Sequence, residues 1–353
     1  MEFVVNSRFL TQPRTGVQRF AIEISQEIQK QIPEAVFVSP GYKKIGPKET
    51  GQIEPIVYGR LTGHLWEQAE LPRYLRARNN PLLVNLTNSA PSFYPRKIVT
   101  IHDLSFLRHP EWFSRRYFYL YRFLTPRIAR HSLKIVTVSE FSKKEIIRLL
   151  GVPEEKVAVV YNAPSQSFTG GENLLEKEDF ILSVCSFNPR KNIQSLIEAF
   201  TRLKAKGLKL IIAGSWHPSF RSMEISEKIS HNANIIFKGH VADDELLRLY
   251  KRALMLVYPS FYEGFGLPPV EAMACGCPVV VSNTSSLPEV CGDAACYVDP
   301  YQIESITEAM KTLLDQKTLR QDLIQRGFQR AKAFSWEESA RQYLRIIRDV
   351  LDA

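Results

Sequence analysis

The 353-residue sequence holds no run of about 18 apolar residues, so no segment has the length and apolarity of a membrane-crossing helix. Its first fourteen residues, MEFVVNSRFLTQPR, lack a basic start followed by an apolar stretch and a cleavage site, so a cytoplasmic protein is expected. No Gly-x-Gly-x-x-Gly opens either half, which argues against a dinucleotide oxidoreductase. Cysteine is sparse: Cys185, Cys275, Cys277, Cys291 and Cys296 are odd in number and confined to the second half, which fits reduced, buried thiols rather than a disulfide framework. One residue separates Cys275 from Cys277 and four separate Cys291 from Cys296, unlike the usual zinc pairs, so no metal site is expected. Acidic residues are short in one half only. Residues 1–165 carry 24 Lys and Arg against 14 Asp and Glu, while the remainder carries 22 against 23. Such asymmetry suits an anionic surface or partner for the first half.

What is there is an α/β pattern. The length favours two domains, and short β-branched runs alternate with helical periodicity nearly throughout, as in doubly wound parallel sheets. Strands are predicted over 3–5, 35–38, 82–86, 98–101, 135–138 and 157–160, then over 180–184, 209–213, 235–237, 255–258 and 278–281. Helices are predicted over 17–29, 142–149, 193–203, 243–252 and 303–314. A polar stretch with Gly170-Gly171 reads as a linker over 166–178, dividing a domain 1–165 from a domain 179–334. Ser335 and Glu338 have capping-box spacing and start a last helix, 335–353, whose apolar stripe is Trp336, Tyr343, Leu344, Ile347 and Leu351. That stripe would serve on either domain.

The stretch SFYEGFGLPPVEAMACGCPVVVSN carries the most chemistry. Between Glu263 and Glu271, the run Gly264-Phe265-Gly266-Leu267-Pro268-Pro269-Val270 cannot continue a helix and instead turns into one, with proline in the first turn. Turn amides at Phe265, Gly266 and Leu267 and the positive helix end then suit a phosphate, while Glu271, one turn in, can accept from hydroxyls. A ligand both phosphorylated and polyhydroxylated, such as a nucleotide sugar, fits this set. Upstream, Asn188-Pro189-Arg190-Lys191-Asn192 places two cations where a strand hands over to a helix, a natural place for a diphosphate.

These segments resemble the retaining glycosyltransferases of family 4, whose GT-B fold has two Rossmann-like domains and a Glu, seven residues, Glu signature at the donor. The resemblance runs from Gly16 to Glu289 with the motifs in family order. It implies that Lys191 takes the lysine position of the phosphate loop; many members also carry an Arg after the strand, where this chain has Ser186, so Arg190 either compensates for that guanidinium or faces solvent. It implies that Gly16 opens a loop approaching the donor phosphate, that Gly214 and Val241 end strands beside the donor, and that His102 in VTIHDLSF lies beside the donor sugar. Glu289 and the Ser139-Glu140-Phe141-Ser142 segment are read as structural.

The activity implied is transfer of a hexosyl group from a nucleoside diphosphate sugar to a hydroxyl of a saccharide or lipid-linked saccharide, in surface polysaccharide or glycolipid assembly. GDP-mannose is the first donor to consider. Retention is expected through front-face attack, with Glu263 and His102 at the sugar, and no general base is assigned. No Asp-x-Asp motif occurs, so neither a divalent metal nor a cofactor is expected. The acceptor is expected on the basic first domain, where residues 113–124 mix aromatics with Arg115, Arg116 and Arg122. That segment reads equally as a peripheral contact with an anionic membrane or as a buried aromatic helix with an arginine rim. Rival readings are a nucleotide-sugar epimerase of the same fold and a basic nucleic-acid-binding protein. Against the latter, the aromatics form no RNA-binding pattern, and no nucleic-acid partner is expected.

Overall fold

The structure is a computed structural model that describes residues 3–41, 53–169, 175–214 and 232–353. The chain folds as two compact units, one made of Met1–Asn162 with Ser335–Ala353 and the other of Ala163–Phe334. Gly170 and Gly171 of the expected linker lie outside the described residues.

In the first unit the order is β1 (Phe3–Asn6), α1 (Gly16–Gln31), β2 (Val36–Pro40), β3 (Ile56–Tyr58), a helical stretch over 63–76, β4 (Leu82–Asn85), β5 (Lys97–Thr100), α2 (Arg115–His131), β6 (Lys134–Thr137), α3 (Glu140–Leu150) and β7 (Val157–Val159). Among the described residues these strands make one parallel sheet in the order β3-β2-β1-β4-β5-β6-β7. A parallel sheet is covered on both faces, so its central strands are apolar almost without alternation, and β1, β4 and β5 are buried along their length. Lys97 is the charged exception in β5. Its Nζ donates to the carbonyls of Tyr94 (2.6 Å), His131 (3.3 Å) and Ser92 (3.4 Å), and burial pushes its pKa down to about 7.

The second unit follows the same grammar, with β8 (Glu178–Val184), α4 (Ile193–Leu203), β9 (Lys209–Ala213), β10 (Ile235–Gly239), α5 (Asp243–Arg252), β11 (Ala253–Tyr258), α6 (Leu267–Ala274), β12 (Val279–Ser282), β13 (Ala295–Val298), α7 (Ile303–Asp315) and α8 (Lys317–Lys332). Its parallel sheet runs β10-β9-β8-β11-β12-β13. Strand order therefore reverses between β8 and β11, as it does between β1 and β4 in the first unit. Ligands of open α/β sheets sit outside the carboxyl ends of strands at such reversals.

Two strands were not expected. β3 is an edge strand of three residues, with Ile56 and Val57 exposed, so it lacks the buried apolar run by which the others are read. β13, Ala-Cys-Tyr-Val, is short and carries two weak strand formers.

The last helix, α9 (Trp336–Asp352), belongs to the first unit. Ser335 caps it, its hydroxyl accepting from the Glu338 amide at 3.5 Å. Trp336, Tyr343, Leu344 and Ile347 are buried. Trp336 and Tyr343 meet Phe20 of α1 at ring-centroid distances of 6.0 and 6.4 Å, and Ser339 Oγ donates to the Tyr161 carbonyl at 2.7 Å. All five cysteines are free, with Cys296 half-buried and the others buried. Burial raises their thiol pKa values, Cys185 and Cys277 to about 11 and Cys275 and Cys291 to about 12.

Candidate functional site

Lys191 follows β8 and Glu263 follows β11, so both stand at the reversal in the second sheet. Lys191 Nζ lies 2.5 Å from Glu263 Oε1 and donates to the Tyr258 hydroxyl at the same distance, above whose ring it sits 4.9 Å from the centroid. Lys191, Glu263 and Tyr258 are all buried. Burial alone would raise the Glu263 carboxyl, but Lys191 and Arg190 more than offset it and hold the group below the usual carboxylate range. Burial lowers the Lys191 pKa against the pull of Glu263. An ammonium has three donors, and two are spent on Glu263 and Tyr258, so one remains for a ligand oxygen.

Local backbone chemistry fixes Lys191. Asn188 accepts from the Arg190 amide at 3.1 Å and opens a short turn over Pro189–Lys191, and Asn192, at φ 55°, starts α4 in a left-handed conformation that asparagine tolerates. The Asn192 side chain donates to the Pro300 carbonyl at 2.7 Å, and the Arg190 carbonyl accepts from the Phe261 amide at 2.8 Å. The phosphate-loop candidate and the loop carrying Glu263 are thus tied by main chain as well as by charge.

Beyond Glu263 the chain turns through Phe265 into Gly266, which at φ 99° caps α6 with no side-chain hydrogen bond. A Cβ there would lie 2.6 Å from Leu287 Cδ2, so space and dihedral both ask for glycine. Leu267 begins the helix, with Pro268 and Pro269 in its first turn. Ser286 holds the turn by donating to the carbonyls of Glu263 and Phe265, each at 2.9 Å, and the Ser285 hydroxyl accepts from the Glu263 amide at 3.0 Å. Glu271 is buried on α6 and accepts from the Tyr250 hydroxyl at 3.1 Å. Gly214 follows β9 at φ 148°, where a Cβ would fall 1.8 Å from the Cys185 carbonyl oxygen. Val241 follows β10 in the loop before α5 and is half-buried. Glu289 carries its main-chain carbonyl to the Arg330 guanidinium at 2.5 Å.

His102 and Gly16 lie in the first unit. His102 is buried just after β5, with its ring edge-on to Phe20 at 5.0 Å, Nε2 3.1 Å from the Leu86 carbonyl and its amide donating to Asn88 Oδ1 at 2.7 Å. Burial pushes its pKa down to about 4, so the imidazole is neutral near pH 7 and Nε2 carries the proton it donates to Leu86. The Ser142 hydroxyl donates to the His102 carbonyl at 3.1 Å, and Ser139 caps α3 by accepting from the Ser142 amide at 3.0 Å. Gly16 is the first residue of α1, and a Cβ there would meet no heavy atom within 4 Å. The fold itself does not require glycine at that position.

Sequence reading missed a buried polar cluster at the reversal of the first sheet. Asn6 ends β1 and Asn85 ends β4, and Asn6 Nδ2 donates both to Asn85 Oδ1 and to Glu67 Oε1 at 2.9 Å. Glu67, fully buried, also accepts from Ser89 at 3.1 Å and lies 3.3 Å from Arg8 Nε and, through its other oxygen, 3.4 Å from His64 Nδ1. Arg8 donates to Ser89 Oγ at 2.6 Å, and Tyr121 of α2 meets His64 Nε2 at 3.2 Å. Burial would raise Glu67, but Arg8 and His64 hold it below the ordinary carboxylate value. These residues are single polar letters scattered over two strand ends, the loops after them and the helical stretch 63–76, and only the fold brings them together.

Comparison with known proteins bears on both halves. Residues 166–330 match glycosyl transferases group 1, and residues 14–164 match glycosyltransferase family 4. An Escherichia coli protein named O-antigen chain mannosyltransferase B is 31% identical across 97% of this chain and 98% of its own. O-antigen chain mannosyltransferase RfbU of Salmonella typhimurium is 29% identical, covering 75% of this chain and 72% of its own. Among solved structures, Anabaena HepE, crystallised with UDP and glucose, superposes with a TM-score of 0.80 at 17% identity over 99% of this chain and 100% of that one. WaaG, a glycosyltransferase involved in lipopolysaccharide biosynthesis, gives 0.73 at 16% identity over 98% and 99%. With both halves matched and a relative of 31% identity along nearly the whole of each chain, the protein belongs to the family 4 glycosyltransferases of GT-B fold.

Proposed function

We propose that the protein transfers a mannosyl group, with retention of anomeric configuration, from GDP-mannose to a saccharide hydroxyl during assembly of a bacterial-type surface polysaccharide. The observation that carries the donor site is the buried Lys191–Glu263 pair at the reversal of the second sheet, beside the Gly266 turn and Glu271. The choice of mannose and of polysaccharide rests on the two relatives named as O-antigen mannosyltransferases.

In this reading the free donor of Lys191, the Arg190 guanidinium and the start of α6 receive the diphosphate as its charge grows. Glu263, kept ionised by Lys191, accepts from sugar hydroxyls, and Glu271 accepts from the ribose. Gly16 lets main chain approach the phosphate, while Gly214 and Val241 line the nucleoside. The bond from the anomeric carbon to the diphosphate breaks as the acceptor oxygen bonds to the same face, and the acceptor proton passes to the departing phosphate oxygen. His102 is a positioning residue, neutral at working pH. No divalent metal takes part, because Lys191 and Arg190 supply the positive charge. The acceptor saccharide meets the basic first unit.

The test is thermal stabilisation by GDP, UDP, ADP and dTDP, followed by product analysis with GDP-mannose in EDTA. A nucleotide at about 100 times its Kd adds roughly 2.7 kcal/mol. Stabilisation by GDP that Glu271→Ala abolishes, with transfer undiminished by EDTA, is the expected result. Stabilisation by none of the four would remove the donor-site reading, and an epimerised sugar nucleotide in place of a glycoside would replace transfer by epimerisation.

A further inference from the structure

Among the described residues of the second unit, every phenylalanine and tyrosine ring other than that of Tyr301 is buried or half-buried, whereas Tyr301 is 64% exposed. Its ring stacks on Phe261 with centroids 4.9 Å apart and planes 28° apart, so one face is covered and the other is open. Both rings stand at the carboxyl edge of the second sheet, Phe261 after β11 and Tyr301 after β13. Phe261 precedes Glu263 in the same loop, its amide donates to the Arg190 carbonyl at 2.8 Å, and its carbonyl accepts from Thr284 Oγ1 at 3.3 Å. The loop that carries Tyr301 is fixed as well. The Tyr301 amide donates to Asp299 Oδ1 at 2.9 Å, the Asp299 amide donates to Ser305 Oγ at 3.1 Å, and the Pro300 carbonyl accepts from the Asn192 side chain, next to Lys191. A ring held in this way by main chain and by a stacked neighbour loses little conformational freedom when a ligand covers it.

We propose that the open face of Tyr301 is a saccharide subsite, on which a hexopyranose ring of the chain being extended lies by its C–H face beside the donor loops. That the ring belongs to an acceptor rests on the transfer reading above; that it is a sugar rests on the chemistry of the loop. Residues 299–302, Asp-Pro-Tyr-Gln, bring one carboxylate and no cation, so they suit a neutral, hydroxylated ligand and not a further phosphate. An aromatic face takes the apolar side of such a ring, while the Asp299 carboxylate and the Gln302 amide flank it with partners for hydroxyls. A nucleobase also stacks on tyrosine, but the loops assigned to the nucleoside, at Gly214 and Val241, follow β9 and β10. In the order β10-β9-β8-β11-β12-β13 those strands lie on the other side of β8 from β11 and β13.

The experiment is a saturation-transfer NMR titration of the full chain, without nucleotide, by mannotriose and by maltotriose up to about 20 mM. The result expected is saturable binding of at least one of the two, weakened about tenfold by Tyr301→Ala and retained by Tyr301→Phe, with the thermal midpoint unchanged in both variants. Retention by phenylalanine separates stacking from a hydrogen bond of the hydroxyl. Binding unchanged in Tyr301→Ala, binding lost equally in Tyr301→Phe, or no binding of either sugar would overturn the proposal. So would loss of GDP stabilisation in Tyr301→Ala, which would make the ring a nucleoside contact. Neither nucleotide nor sugar transfer enters the titration, so its failure is separate from failure of the donor site.

Discussion

Thr100 and Tyr343, 243 residues apart in sequence, share a side-chain hydrogen bond of 3.0 Å in the core of the first unit. The bond joins the end of β5 to the last helix of the chain, next to the Trp336 and Tyr343 contacts with Phe20. Tyr343→Phe is expected to lower the stability of this unit by about 1 kcal/mol, and Trp336→Ala by about 3–5 kcal/mol. Urea unfolding followed by a probe in the first unit checks both. An unchanged midpoint for Trp336→Ala would show that α9 does not hold that unit together.

The Lys191–Glu263 pair is a buried ion pair, so removing one partner leaves the other charge uncompensated. Lys191→Met and Glu263→Gln should each destabilise the second unit by about 3–5 kcal/mol, while the double variant loses much less than the sum. All three should lose nearly all transfer activity. Additive losses in the double-mutant cycle would mean that the two groups are not coupled.

His102 gives a pH dependence with a definite sign. Its folded pKa of about 4 lies below the ordinary 6.5, so the unfolded chain binds more protons between those values. The stability from keeping it neutral is fully present above pH 6.5 and is lost as pH falls towards 4, by roughly 3 kcal/mol. Denaturant midpoints measured across that window, wild type minus His102→Gln, isolate this group from the carboxylates. Parallel curves would refute the assignment.

Gly214 and Gly16 separate a glycine the fold needs from one it does not. Gly214→Ala drives a Cβ into the Cys185 carbonyl and should cost about 1–3 kcal/mol or more, with loss of nucleotide binding. Gly16→Ala meets no neighbour and should leave stability within about 0.5 kcal/mol while reducing transfer. Calorimetry and an initial-rate assay on both variants read the difference. An active Gly16→Ala enzyme would remove that residue from the donor site.

The sequence announced what is locally encoded. The helices at 243–252 and 303–314 read from periodicity and stand at Asp243–Arg252 and Ile303–Asp315, and Gly266 ahead of Pro268 and Pro269 announces a turn into a helix. Glu263 and Lys191 were each legible as chemistry, but their contact spans 72 residues and depends on β8 pairing with β11. The same limit hid the Asn6, Arg8, Glu67 and Asn85 cluster, since no short motif holds residues that meet only across β1 and β4. The placement of α9 was open for a related reason. An amphipathic stripe states that a face is covered but not by what, and Phe20, more than 300 positions earlier, supplies the answer.

The first unit is interrupted: its chain stops at Asn162 and resumes at Ser335, with the whole second unit between. Synthesis from the N-terminus therefore delivers every residue of the second unit before the first can close over Phe20. Until α9 emerges, Phe20, Thr100 and the Tyr161 carbonyl lack their contacts with Trp336, Tyr343 and Ser339. The domain that begins first is completed last, once residues 335–353 have been made.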